Sequence, residues 1–219
     1  MENIYQNRRE QFLHTDNCPF LTILYSGKAP VRSADETYHF SVDRNFYYLT
    51  GMDLENAVLV MIRENNSKVY SNLYVDIRDM ETAKWIGSSP SVDSIKEISG
   101  IENIYPLNLW EPHIHRFLSS RINRPSIGLN LWRCLPNDPP TTSHQISAWI
   151  RSTYPEVDIV NIFPSLAKAR LIKSEDELVN MAFAQNTTQK ALEELYAYVS
   201  PEMNECEIEG TVSYTHLTL

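Results

Sequence analysis

The chain has 219 residues, 42% hydrophobic and 21% charged, with 19 Lys and Arg against 28 Asp and Glu. The formal charge of −9 argues against a nucleic-acid or anionic-membrane surface, because both need a basic footprint. A chain of this length buries enough surface to fold without a disulfide or metal staple. Its longest apolar runs, Phe20 to Tyr25 and Ala57 to Ile62, fall far short of the ~20 residues of a membrane span. The N-terminus has no apolar core of the signal-peptide kind. Cys18, Cys134 and Cys206 are odd in number and widely spaced, so they read as reduced thiols of a cytosolic protein.

In chain order, residues 3 to 15 predict a short amphipathic helix that ends before Pro19. Phe20 to Tyr25 predicts a buried strand ending at Gly27. Ala57 to Ile62 and Val69 to Val75 flank Glu64-Asn65-Asn66-Ser67, which has turn chemistry, and together they predict an antiparallel hairpin. Val92, Ile95 and Ile98 have helical spacing and Gly100 stops that helix. A strand follows at about 102 to 106. Leu109 to Arg121 predicts a helix with Trp110, Ile114, Phe117 and Leu118 on one face. Ser126 to Leu131 predicts a strand. Thr142-Ser143-His144-Gln145 reads as a capping box opening a helix that buries Ile146, Trp149 and Ile150. Val157 to Ile162 predicts the last strand. Strands alternating with helices predict an α/β layer architecture, and the hairpin makes its sheet mixed.

The pattern changes after Pro164. Ser174-Glu175-Asp176-Glu177 is a capping box, and the segment it opens is periodic. Leu178, Met181, Ala182, Gln185, Leu192, Leu195, Tyr196 and Val199 share one face until Pro201 ends the run. This long helix reads as the first element of a second, incomplete domain.

Several chemistries lack their residues. The six glycines are never within G-x-G spacing, so phosphate-cradling loops are poor readings. There is no G-x-S-x-G elbow and no H-E-x-x-H pair. His113 and His115 are two apart, about 200° around a helix, so they do not converge on one metal.

The most distinctive stretch runs from Arg32 to Gly51. Read from the residues alone, Phe46-Tyr47-Tyr48 fills a core corner and Gly51 supplies an unusual backbone angle. The order Arg32, Asp35, Tyr38, Phe40, Asp43, Asn45-Phe46-Tyr47-Tyr48-Leu49-Thr50-Gly51 resembles the N-terminal domain of the X-Pro aminopeptidases (aminopeptidase P) of the creatinase/prolidase superfamily. Asp76 to Gly87, ending in Trp85-Ile86-Gly87, is similar to a second family stretch. Leu166 to Leu178 is similar to the linker and first helix that lead into the family's catalytic domain. The three matches occur in the family's order.

The resemblance implies a mixed six-stranded sheet flanked by helices over residues 1–164. It implies a linker and first helix of an incomplete pita-bread catalytic domain over 165–210. Residues 211–219 depart from the family pattern, resemble translated sequencing-adaptor sequence and read as a non-native tail on a truncated chain. The implied activity is hydrolysis of the bond between an N-terminal residue and a following proline. The family uses two metal ions, typically manganese, to activate a bridging hydroxide. Its two Asp, one His and two Glu ligands match nothing here, so no catalytic residue or metal ligand is assigned, and this chain alone is expected to be inactive and to bind no metal. The implied partners are peptides with proline second and further copies of the chain, with no nucleic acid and no membrane, in the cytoplasm.

Two substrate-binding residues are implied. Trp85 stands where the family sends a tryptophan into a neighbouring subunit's active site, and Asp35 stands at an acidic position near it. An aromatic wall suits a proline ring, and a carboxylate attracts an ammonium group. The ordinary readings are core packing for Trp85 and a turn hydrogen bond for Asp35. The competing function is a non-catalytic binding or assembly module of the same fold.

Overall fold

A computed structural model describes residues 3–14, 19–63, 69–77, 89–119 and 126–218, together with Glu81, Lys84, Trp85 and Gly87. The chain divides into two compact units, Met1–Ala169 and Arg170–Leu219.

The first unit is built on a six-stranded sheet. In chain order its strands are β1 (Leu21–Tyr25), β4 (Val58–Arg63), β5 (Val69–Val75), β6 (Asn103–Pro106), β7 (Ser126–Leu129) and β8 (Asp158–Asn161). A separate two-stranded hairpin holds β2 (Val31–Ser33) and β3 (Glu36–Thr37). The spatial order is β6-β5-β4-β1-β7-β8, with β4 antiparallel to both neighbours and every other pairing parallel. The predicted hairpin forms with Val58 opposite Tyr74 and Arg63 opposite Val69. Its turn residues, 64–68, lie outside the described residues.

Helices cover both faces of this mixed sheet. α1 (Ile4–Leu13), α2 (Arg44–Thr50), α3 (Val92–Ser99) and α6 (Phe163–Ala169) enclose one core with Leu24, Leu59, Met61, Leu73 and Val75. α4 (Trp110–Ser119) and α5 (Thr142–Thr153) enclose the other with Leu21, Ile23, Val58, Val60 and Tyr74. The split follows the two-residue side-chain period of a strand. It also explains why Ala57 to Ile62 is continuously apolar: β4 is buried on both faces.

Local chemistry sets the helix ends. Asn3, Asp43 and Ser91 cap α1, α2 and α3 by accepting backbone amides. Gly51 and Gly100 end α2 and α3 in the left-handed conformation, at φ 68° and 64°. Arg9 is buried and donates to Leu49 O at 2.7 Å and Gly100 O at 3.2 Å. It thereby satisfies carbonyls at the ends of two helices that have no partner within the helix. Burial pulls its guanidinium down to about 10, so it stays a cation at neutral pH.

Three local expectations change. The aromatic run is helix α2, whose Phe46 and Leu49 point inward while Tyr47 is exposed. α5 begins one residue early: its cap is Thr141, whose hydroxyl is held by His144 and makes no bond to the helix amides. The helix predicted from Leu109 starts as a 3-10 turn, Leu107–Leu109, and is α-helical from Trp110 to Ser119; residues 120–125 lie outside the description. The first unit also extends through α6, because Leu166 is fully buried in its core and Tyr48 Oη donates to Ala169 O at 3.1 Å.

The second unit holds α7 (Glu175–Tyr198) and α8 (Glu205–Thr218). The predicted capping box is present: Ser174 Oγ accepts the Glu177 amide and Glu177 Oε2 accepts the Ser174 amide at 2.9 Å. Of α7, only Ala191 is fully buried, while Leu178, Met181, Phe183 and Tyr196 are exposed.

Candidate functional site

Five of the six strands run in one direction, so β1 and β5 release their connections at the same edge of the sheet, where β4 begins. β1 and β5 flank β4, which sets them about 10 Å apart. The connection after β1 carries Asp35, and the segment after β5 carries Trp85. The two connections that carry the implied residues thus leave the same end of the sheet.

Asp35 is exposed in the two-residue turn between β2 and β3. Ala34 before it is left-handed at φ 51°. Arg32 and Glu36 pair across this hairpin at 2.8 Å, and the Arg32 guanidinium lies 5.9 Å from the Tyr38 ring centre. Trp85 is 86% exposed, so it takes no part in the core of its own unit. Ile86 lies outside the described residues.

The loops after β1 and before β4 are tied together at this end of the sheet. Ser26 Oγ accepts the Ala57 amide at 2.8 Å, and Glu55 Oε1 accepts the Ala29 amide at 2.9 Å. Tyr25 Oη bonds Asn56 Oδ1 at 2.6 Å. Burial, reinforced by Glu55, pushes the Tyr25 phenol up, so it remains the proton donor.

Two grooves open at the carboxyl ends of β5 and β6. One, of about 650 Å³, lies between the loop after α2 and the start of α3. The other, of about 700 Å³, runs toward the start of α4. They share Asp76 and Ile77, and neither Asp35 nor Trp85 lines them.

The histidines are engaged elsewhere. His113 Nδ1 and Tyr74 Oη share a 3.0 Å hydrogen bond, and His115 Nδ1 and Tyr154 Oη share one of 2.7 Å. The two rings reach tyrosines on different elements, as their separation around α4 requires. Burial pushes the Tyr74 phenol up to about 12.

His144 accepts from Arg133 Nε at its Nε2, 3.1 Å away. Arg133 can only donate, so the ring is neutral and its proton sits on Nδ1, facing Thr141 Oγ1 at 2.7 Å. Burial, then the Arg133 charge, lowers its pKa from the ordinary 6.5. A lowered folded pKa means the unfolded chain binds the proton first as pH falls. The His144 contribution to stability is therefore complete above about 6.5 and lost below it, toward the lower folded value. His144→Gln, which keeps an acceptor for Arg133, is expected to flatten the melting-temperature profile between about pH 7 and 5. Identical slopes for both proteins would show that His144 titrates normally.

Residues 5–124, more than half of the chain, match the family described as aminopeptidase P, N-terminal domain. The chain belongs to this family. Xaa-Pro aminopeptidase 3 of Dictyostelium discoideum is 26% identical over 178 residues, covering 81% of this chain and 32% of that protein. The Xaa-Pro aminopeptidase of Escherichia coli K12 is 24% identical over 115 residues, covering 52% of this chain and 26% of that one. A structure assigned to aminopeptidase P, from Bacillus anthracis, superposes with a TM-score of 0.92 at 26% identity. It covers 98% of this chain and 51% of its own length. A zinc-substituted E. coli aminopeptidase P in complex with product has the same fold, with a TM-score of 0.81 at 19% identity and coverage of 98% and 49%. The chain thus spans about half the length of these solved structures and 32% and 26% of the two curated relatives.

Among the described residues, no three His, Cys, Asp or Glu side chains come together to hold an ion. Cys134 and Cys206 are exposed free thiols, and Cys18 lies outside the described residues. Among the described residues, no helix is long and apolar enough to cross a membrane.

Proposed function

We propose that this chain is the amino-terminal part of a cytoplasmic, two-metal X-Pro aminopeptidase that acts on peptides with proline second. The family match, with an alignment over 98% of the chain to the B. anthracis aminopeptidase P fold, carries this reading. In it, residues 1–164 supply substrate-pocket and oligomer surface, and residues 165–210 begin the catalytic domain. The two manganese ions belong to the catalytic domain. Trp85 projects across a subunit boundary and packs on the substrate's proline ring, while Asp35 attracts its terminal ammonium. The exposed apolar side chains of α7 favour this over a stand-alone assembly module, because such a helix face needs a partner to bury it.

The test is to read the gene beyond Gly210 and compare the full-length protein with the 219-residue chain. Manganese-dependent release of the first residue from a proline-second peptide is expected only from the full-length protein. No such release from the full-length protein would overturn the reading. Release by the 219-residue chain alone would overturn the division of roles.

A further inference from the structure

The connection from β7 to α5, residues 130–141, leaves the sheet at the same end as the connection after β1, because β1 and β7 are parallel neighbours. It is a strap with no helix or strand of its own. Pro136, Pro139 and Pro140 lack a backbone N–H, and Trp132 and Leu135 are 50% and 61% exposed, so neither a ladder nor a buried core holds it. Side chains tie it down instead. Asn161 Oδ1 accepts the Leu131 amide at 3.2 Å, the Trp132 ring lies 5.5 Å from that of Phe163, and Arg133 Nε donates to His144 Nε2 at 3.1 Å. The strap's own acid, Asp138, is turned to the Leu135 amide at 2.8 Å. The next turn of α5 offers His144 only Ser147 and Ala148, and no carboxylate pairs with His144 among the described residues. Arg133 is therefore the charged group that faces the ring.

We propose that this strap is a pH-sensitive latch: neutral His144 holds it closed, and a proton on His144 releases it. The pattern of donors and acceptors carries this. The Arg133 guanidinium can only donate, so the closed strap needs the lone pair on His144 Nε2. A proton taken from water occupies that lone pair. A donor then faces a donor, and two cations stand where one neutral acceptor stood. Thr141 Oγ1, 2.7 Å from Nδ1, still accepts from the ring, so His144 stays on α5 and Arg133 is the partner that leaves. The strap has little buried apolar surface to hold it once Arg133 lets go. Release falls on the acid side of the ordinary histidine value, in the direction that burial and Arg133 already push the ring. The latch does not depend on peptidase activity.

The experiment is nuclear magnetic resonance on the 219-residue chain between about pH 7.5 and 5, which spans the histidine range. Nitrogen shifts report the His144 ring, and amide exchange, corrected for the pH dependence of the exchange chemistry, reports the strap. At the upper pH the ring proton is expected on Nδ1, with Nε2 bare. As the ring protonates, exchange at Leu131 and Leu135 should speed about tenfold or more, the worth of a hydrogen bond to a charged group, with the midpoint of the ring itself. Amides of β1 and β4 should hold, which separates release from unfolding. His144→Gln keeps an acceptor that does not titrate, so its strap should stay closed throughout. Arg133→Gln should leave the strap open already at the upper pH. A ring that titrates while the strap amides stay unchanged would overturn the proposal. So would the same acid release in His144→Gln, or a proton on Nε2 in the neutral ring.

Discussion

Replacing Trp85 with Ala in the full-length protein is expected to raise KM for proline-second peptides about ten- to 150-fold, with kcat within about twofold. The magnitude follows from the contact assigned to it. Burying an aromatic face against a proline ring is worth roughly 1.5–3 kcal/mol, and each 1.4 kcal/mol is about tenfold in binding. That contact exists before and during the reaction, so its loss appears in KM. Stability should hardly move, because Trp85 is 86% exposed. Substitutions at such positions change stability by about 0.5 kcal/mol or less. A tryptophan buried in its own core would instead cost about 3–5 kcal/mol. Kinetics and thermal unfolding on the same variant separate the cases. A large fall in melting temperature with unchanged KM would return Trp85 to the core and remove it from the substrate pocket.

Gly51→Ala is expected to destabilise the chain by about 3 kcal/mol, or roughly 6–12 °C in melting temperature. Two effects add. Gly51 sits at φ 68°, where a Cβ costs about 1–2 kcal/mol. A Cβ there would also enter the Tyr5 ring, which must move. Tyr5 lies 5.4 Å from the Arg8 guanidinium, which also sits 4.5 Å over Tyr48, so the displacement disturbs the seam between α1 and α2. Gly87→Ala is the internal control. It shares the positive φ, at 83°, but a Cβ there meets nothing within 4 Å. It should cost about 1–2 kcal/mol, for backbone strain alone. Equal melting temperatures for the two variants would show that the Tyr5 contact contributes nothing.

Elements whose signals are local were legible in the residues. The apolar runs of β4 and β5 with turn residues between them, the helical spacing of Val92 and Ile95, and the Ser174–Glu177 capping box each act within a few positions. The motifs around Asp35 and Trp85 were legible by resemblance, because their spacing is carried in the chain. Helix α2 was not. Its aromatic residues favour strands as much as helices, and only burial of Phe46 and Leu49, with caps at Asp43 and Gly51, settles its conformation.

The remainder belongs to tertiary structure, because its partners are far apart in sequence. β1 pairs with β4 on one side and with β7, about a hundred residues later, on the other. No local pattern encodes that choice; it comes from burying both faces of β1 and β4 under two sets of helices. The same pairing sends the connections after β1 and β5 to one end of the sheet and joins Tyr74 to His113. Local sequence determined the strands and most of the helices and caps, α2 and the cap of α5 excepted. Strand order determined which side chains meet, since a sheet brings together residues that the chain itself keeps apart.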